Sequence, residues 1–200
     1  MATSALLLTS CVSTTTGSPS TPGGESISPS SEKSDEAPKP SRLAPEVKNP
    51  LDVSAFSAEP CRALSDAQVS ELGLGPGVLK SDEETGESCL WKNTESAVVD
   101  LNFLTTPGGL DFVYQNRQTD PGYYKYFVEM PAIDGFPTVA ASVADGRKST
   151  GDCHLFLGTS EDSVISLSTA PSLTKIGQVE ACEITTRVAG MILRTVKAGG

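Results

Sequence analysis

His154 is the only histidine in this 200-residue chain, so it is the first residue to examine for catalysis. A histidine that acts as a general base needs a serine or cysteine nucleophile and an orienting carboxylate, and no motif places such residues beside it. We therefore interpret His154 as a surface or half-buried strand residue and predict a protein that is not an enzyme. The alternative is a hydrolase with an unfamiliar site, which requires a cleft holding His154 beside a serine and a carboxylate.

Two further clusters could serve chemistry. The acidic run at residues 82–87 lacks the alternating ligands of an EF-hand loop, so a solvated loop is favoured over a weak calcium site. The glycines at residues 73–77 do not lead from a strand into a helix, which argues against a phosphate cradle and favours a turn. The sequence thus predicts neither a metal site nor a cofactor.

Five cysteines are an odd number, and the first of them has its own context. Residues 8–11 (Leu-Thr-Ser-Cys) resemble the bacterial lipobox, in which a small residue precedes a cysteine whose sulfur receives a diacylglyceryl group. An apolar stretch precedes Cys11 and a long polar stretch follows it. We predict that Cys11 is lipidated, with acyl chains such as palmitate, rather than a free thiol in the N-terminal segment.

The segment before Cys11 is interpreted as part of a signal peptide. Such peptides normally have a basic beginning and about 15 to 30 residues, whereas no Lys or Arg precedes Cys11. We therefore expect the translation start to lie upstream of Met1. The predicted location is the extracytoplasmic face of the cell membrane, held by the lipid anchor.

Residues 12–48 are rich in Ser, Thr, Pro and Gly and poor in large apolar side chains, so they are predicted to be a disordered tether. As a flexible coil they would span about 30 to 40 Å. One folded domain is expected over residues 49–200. The chain has a net charge of -10, which repels nucleic acid, and the predicted partners are the membrane and an unknown envelope protein or ligand.

The elements of the folded domain follow from patterns along the chain. Ser65 and Gln68 form a capping box for a short helix that ends near Leu72. Six strands are predicted, near residues 88–93, 97–104, 123–130, 137–144, 152–158 and 163–169, with a helix at 108–119. Apolar residues at helical spacing, from Val179 to Val196, predict a closing helix over residues 175–196. The predicted class is α+β, a mostly antiparallel sheet of about five or six strands with helices packed on it.

Four cysteines remain for the domain, and three pairings are possible. We predict Cys61 with Cys89, holding the first helix on a strand, and Cys153 with Cys182, joining a strand to the closing helix. Each bridge would stabilise the fold by about 3 to 4 kcal/mol. A zinc site is the rival interpretation, but no two of these cysteines are close in sequence.

Tyr123, Tyr124, Tyr126 and Phe127 are the one aromatic cluster that could face a ligand, because aromatic side chains give large contact areas at small entropic cost. The alternative is that they are ordinary strand residues divided between the core and the surface. That alternative is favoured, since strands are enriched in aromatic residues.

The domain resembles an actinobacterial lipoprotein family catalogued only as a domain of unknown function (DUF3558). The resemblance rests on the order of its motifs: Asn49–Leu51, Pro60–Cys61, Cys89–Trp91, Asp134–Pro137, Cys153 and Cys182. It implies lipidation and surface location, and it implies no catalytic residue. The family also looks distantly similar to the Mog1/PsbP type of fold, whose members mostly act as accessory or binding proteins.

The predicted function is therefore a non-catalytic, membrane-anchored lipoprotein that acts as a binding or accessory module at the cell envelope. Two alternatives remain, the hydrolase and a carrier of an apolar ligand such as a lipid. The carrier would need a deep apolar pocket between the sheet and the helices.

Overall fold

The structure is a computed structural model that describes residues 41–199. Its centre is one seven-stranded antiparallel sheet with the strand order β1-β2-β3-β7-β6-β5-β4. The strands are β1 Val78–Asp82, β2 Gly86–Lys92, β3 Val98–Thr105, β4 Tyr126–Ile133, β5 Phe136–Ser142, β6 Cys153–Gly158 and β7 Ser163–Ala170. The α-helices are α1 Ser54–Ser57, α2 Asp66–Glu71, α3 Asp111–Thr119 and α4 Ala181–Lys197, and short 3-10 helices cover Pro60–Ala63 and Leu173–Lys175.

The α+β class and the antiparallel sheet are confirmed, and the sheet has one strand more than expected. The additional strand is β1, whose five residues are all exposed. Because β1 has no buried face, its sequence lacks the alternation that identifies the other strands. The predicted acidic loop at residues 82–87 covers the end of β1, the turn at residues 83–85 and the start of β2.

One face of the sheet holds the main hydrophobic core. Alternate residues of β2, β3, β6 and β7 point to this face, including Trp91, Leu101, Leu155 and Leu167, which are almost fully buried. Helix α4 lies across β6 and β7 on this side, while α1 and the first 3-10 helix pack on β2 and β3. This core fixes the positions of the central strands.

Helix α4 begins at residue 181, six residues later than predicted. A 3-10 turn at Leu173–Lys175 and a positive φ of 75° at Gly177 precede it, and the Glu180 side chain accepts hydrogen bonds from the backbone N–H groups of the first turn. Val179 therefore lies outside the helix and is 45% exposed, although its spacing placed it on the apolar stripe. The N-cap at Glu180, which follows the turn at Gly177, sets the start of α4, whereas the periodic pattern alone predicted an earlier start.

Both predicted disulfide bonds are present. Cys61–Cys89 joins the first 3-10 helix to β2, and Cys153–Cys182 joins β6 to the start of α4. Helix α2 also has the predicted capping box, in which Gln68 N donates to Ser65 Oγ and Ser65 N donates to Gln68 Oε1. Two covalent links and a capped helix thus hold the helical layer against the sheet.

The opposite face of the sheet is covered only in part. Helix α3 packs there through Leu110 and Val113, which contact Val139, Phe156 and Val164 on the strands. The rest of this face, on β2, β3, β7 and β6, carries partly exposed polar side chains. We call it the open face.

Residues 41–48, which the sequence assigned to the tether, pack against the folded domain instead. Leu43 N and Ala44 N donate to Asp111 Oδ1, at 2.6 and 2.8 Å, and Ala44 and Val47 are buried. Small apolar residues spaced through a polar segment give no periodic signal, which is why the sequence did not indicate this contact. Cys11 and the predicted tether up to residue 40 lie outside the described residues. In the part that the structure describes, no helix has the length and apolar character needed to span a bilayer.

Candidate functional site

A shallow polar groove crosses the centre of the open face. Strands β3, β7 and β6 are neighbours, and the register aligns Asp100 with Ser168 and Ser168 with His154. The groove has a volume of about 590 Å³. We call it the sheet-face groove, and its lining consists of Thr85, Ser88, Val98, Asp100, Asn102, Leu104, Phe112, His154, Phe156, Ser166 and Ser168.

His154 contributes a neutral imidazole to this groove. Its Nε2 lies 2.8 Å from Ser166 Oγ, and its ring stacks on Phe156 with the centroids 4.3 Å apart. Burial lowers the pKa of His154 from 6.5 to about 4, with a small opposing effect from Asp152. The ring is therefore uncharged at neutral pH, and it can either donate to Ser166 or accept from it.

The structure brings His154 and a serine together but does not complete a hydrolytic site. Asp100 lies on β3, two strands away from His154 on β6, a separation of about 10 Å between the backbones. Ser166 lies on a central strand whose backbone pairs with β3 on one side and β6 on the other. A reaction at Ser166 would thus lack free backbone N–H groups to stabilise an oxyanion.

Asp100 and Asn102 form the β3 side of the groove. Desolvation by burial raises the pKa of Asp100, and the charge of Lys92 partly opposes that shift. Asn102 Nδ2 donates to the Thr85 carbonyl at 2.9 Å, whereas the buried Asn102 Oδ1 has no hydrogen-bond partner among residues 41–199. A half-buried carboxyl group and an unsatisfied amide oxygen are therefore neighbours on one strand, a pattern typical of functional sites.

Sequence analysis did not identify Asp100, Asn102, Ser166 or Ser168 as site residues. The sequence carries part of the signal, because Asp100 and Asn102 alternate with buried residues on β3. The contact between β3 and β7 joins strands that are distant in the chain. Residue types alone do not reveal that pairing, so the sequence does not predict that these side chains line one groove.

The predicted aromatic cluster does not form one surface. Tyr126 is buried in the main core, with the Arg147 guanidinium 4.0 Å from its ring centroid. Tyr124 and Phe127 are partly buried and pack on the other face, beside α3. Tyr123 is the only one of the four that is largely exposed. Tyr126 and Phe127 lie on β4 and point to opposite faces, as strand alternation requires, whereas Tyr123 and Tyr124 precede the strand.

A second cavity, of about 700 Å³, lies at one end of the sheet between α2, the β2–β3 turn and the start of α4. We call it the α2–α4 cleft. Its inner surface includes the buried Val99 and Val188, and Glu71 and Arg187 form an ion pair of 2.8 Å at its rim. It is the cavity that an apolar carrier would use, although charged side chains contribute to its lining.

The acidic run forms a hydrogen-bonded turn. Asp82 Oδ1 accepts from the backbone N–H groups of Glu84 and Thr85, which lowers the pKa of Asp82. Within the described chain, no group of three or more His, Cys, Asp or Glu side chains could hold a metal ion. At residues 73–77, Gly73 follows the end of α2 with a φ of 65°.

We expect His154→Gln to reduce the acid sensitivity of the fold. Because the pKa of His154 is about 4 when folded and 6.5 in its ordinary range, the unfolded chain takes up a proton between these values while the folded chain does not. The histidine should therefore lower the free energy of unfolding by about 2 to 3 kcal/mol between about pH 7 and about pH 4.5. Stability is unaffected above the unfolded pKa and is lost as pH falls.

Urea unfolding of the parent and of His154→Gln at both pH values measures this effect. The comparison uses the change with pH in each protein, so any constant cost of losing the imidazole cancels. An equal loss of stability in the two proteins would contradict the burial of a neutral His154.

A family model described as a protein of unknown function, DUF3558, matches residues 6–195. No curated protein and no solved structure matches the chain. The similarity to the Mog1/PsbP fold stays a prediction.

Proposed function

The chain belongs to the family described as protein of unknown function (DUF3558), and we propose that it is a lipid-anchored, extracytoplasmic binding protein of the cell envelope. Its folded domain would bind a ligand in the sheet-face groove. The protein would act as an accessory module, without turning its ligand over.

The location is supported by the N-terminal sequence and by the disulfide bonds. Residues 8–11 resemble a lipobox, and Cys11 is the one cysteine left over from the pairs Cys61–Cys89 and Cys153–Cys182. Disulfide bonds persist in oxidising compartments and are rare in the cytosol. The lipobox-like segment and the disulfide bonds therefore both support a location outside the cytoplasm.

The observation that carries the binding role is the sheet-face groove itself. A half-buried carboxyl group, a neutral imidazole and an amide oxygen without a partner among residues 41–199 line this groove, and a buried polar group without a partner is costly to the fold. A ligand that satisfies these groups would offset that cost. Binding is favoured over hydrolysis because, among residues 41–199, no carboxylate is hydrogen-bonded to His154 and the backbone around Ser166 is paired within the sheet.

A second candidate function is the transport of an apolar ligand in the α2–α4 cleft. It is favoured by the size of the cleft and by the apolar side chains of Val99, Ile184 and Val188 within it. The Glu71–Arg187 ion pair at the rim would then face the polar end of such a ligand.

Photo-crosslinking in intact cells tests the groove against the cleft. A photoreactive amino acid is placed at Leu104 beside the groove, at Val179 beside the cleft, or at the exposed Val128 on β4 as a control. We expect a defined adduct from position 104 that is lost with Asp100→Asn, and none from position 128. An adduct from position 179 alone would transfer the binding site to the cleft, and the absence of any adduct would contradict a bound ligand.

A further inference from the structure

We propose that the ligand of the sheet-face groove is a neutral saccharide. This inference rests on the proposed binding function and specifies the chemistry of the ligand. It follows from the charge of the groove, from its hydrogen-bonding groups and from the apolar surface at one end.

The charge of the groove disfavours anionic ligands. Among the described residues that line the groove, Asp100 is the only acidic one and none is Lys or Arg. His154 is uncharged at neutral pH because burial lowers its pKa to about 4. A phosphate or a carboxylate in the groove would therefore face Asp100, and the cation that acts on that carboxyl group, Lys92, lies outside the lining. A cationic ligand would compete with Lys92, whose charge already acts on Asp100.

The hydrogen-bonding groups suit a ligand with several hydroxyls. Ser88 and Ser168 can each donate and accept, and the Asp100 carboxyl group adds further accepting oxygens. Asn102 Oδ1 is buried and lacks a donor, and the neighbouring cross-strand positions are Ser88 and Ser166. A ligand hydroxyl placed between these serines would donate a hydrogen bond to Asn102 Oδ1. Sugar hydroxyls can serve as donor and acceptor along the same surface.

One end of the groove is apolar. Leu104, Phe112 and Phe156 line it, and the two phenylalanine rings meet edge to face with centroids 6.0 Å apart. The C–H face of a sugar ring packs on such a surface through dispersion, while its hydroxyls reach the polar side chains. The volume of about 590 Å³ lies within the range of about 300 to 1,000 Å³ for small-ligand sites.

Calorimetric titration and amide NMR of the full-length protein in detergent test this proposal. The probes are three neutral trisaccharides, maltotriose, mannotriose and chitotriose, with trigalacturonate as the anionic control. At least one neutral probe should bind with a Kd of about 1 mM or below and shift the amide signals of Asp100 and Ser168. Trigalacturonate should bind at least about tenfold more weakly, because its carboxylates meet Asp100.

Variants separate the groove from non-specific binding. Asp100→Ala should weaken the neutral probe at least about tenfold, since hydrogen bonds to a charged group are the stronger ones. Ser70→Ala, at an exposed serine on α2, should leave affinity unchanged. Tighter binding of trigalacturonate, or binding that Asp100→Ala leaves intact, would overturn the proposal.

The two experiments together distinguish a wrong ligand class from a groove that binds no ligand. If no neutral probe binds while the adduct from position 104 persists, the ligand class is wrong and the groove remains a binding site. If neither the probes nor the adduct are observed, both proposals fail.

Discussion

Removing the Cys153–Cys182 bridge by Cys153→Ala with Cys182→Ala is expected to lower the melting temperature of the domain by about 6 to 16 °C. The two cysteines are 29 residues apart, and closing a loop of that length in the unfolded chain is worth about 3 to 4 kcal/mol. In a domain of this size each kcal/mol shifts the melting temperature by about 2 to 4 °C. The variant also loses the covalent contact between β6 and the first turn of α4.

The other bridge provides a matched comparison. Cys61 and Cys89 are 28 residues apart, so the loop-closure contribution is nearly the same. Cys61→Ala with Cys89→Ala should therefore lower the melting temperature by a similar amount. The loss of packing should be larger in the other variant, because Cys153 and Cys182 are both buried. Calorimetry of the parent, the two double variants and the reduced parent measures both contributions. A melting temperature within about 2 °C of the parent in either variant would contradict the stabilising role of that bridge.

Local chemistry accounts for the elements that were predicted well. The capping box at Ser65 and Gln68 defines the start of α2 because it satisfies backbone donors that the helix leaves free. Strand β3 alternates buried Val99, Leu101 and Phe103 with partly exposed residues, which is the pattern of a strand with one face in the core. The disulfide pairs could be predicted from the elements that carry the cysteines, since each pair joins a helical segment to a strand.

Long-range contacts account for what was missed. β1 is stabilised by its pairing with β2 and buries none of its own side chains, so its residues carry no strand pattern. Ala44 and Val47 are buried by α3 and the adjoining strands, far along the chain. The site was missed for the same reason. Asp100 and His154 lie on either side of Ser168 only because β7 lies between β3 and β6.

Cys11→Ser is expected to move the protein from the membrane fraction to the medium. We propose that two acyl chains on a diacylglyceryl group hold the protein on the bilayer, and such a pair binds firmly where a single chain is marginal. Among residues 41–199, no helix is long and apolar enough to span a bilayer. Removal of the sulfur should therefore release nearly all of the exported protein.

Ser10→Ala is the matched control for this experiment. It keeps a small residue before Cys11, so lipidation and membrane retention should persist. Both variants are expressed with the same export signal as the parent. Retention of Cys11→Ser in the membrane pellet would assign the anchoring to another part of the protein.

The mass of the N-terminal peptide of the membrane-isolated protein tests the proposed lipid anchoring most directly. The expected peptide begins at Cys11 and carries a diacylglyceryl group on the Cys11 sulfur, with palmitate among its acyl chains. Digestion before residue 41 separates this peptide from the folded domain and its disulfide bonds. A peptide that extends upstream of Cys11 and carries an unmodified thiol would contradict lipid anchoring.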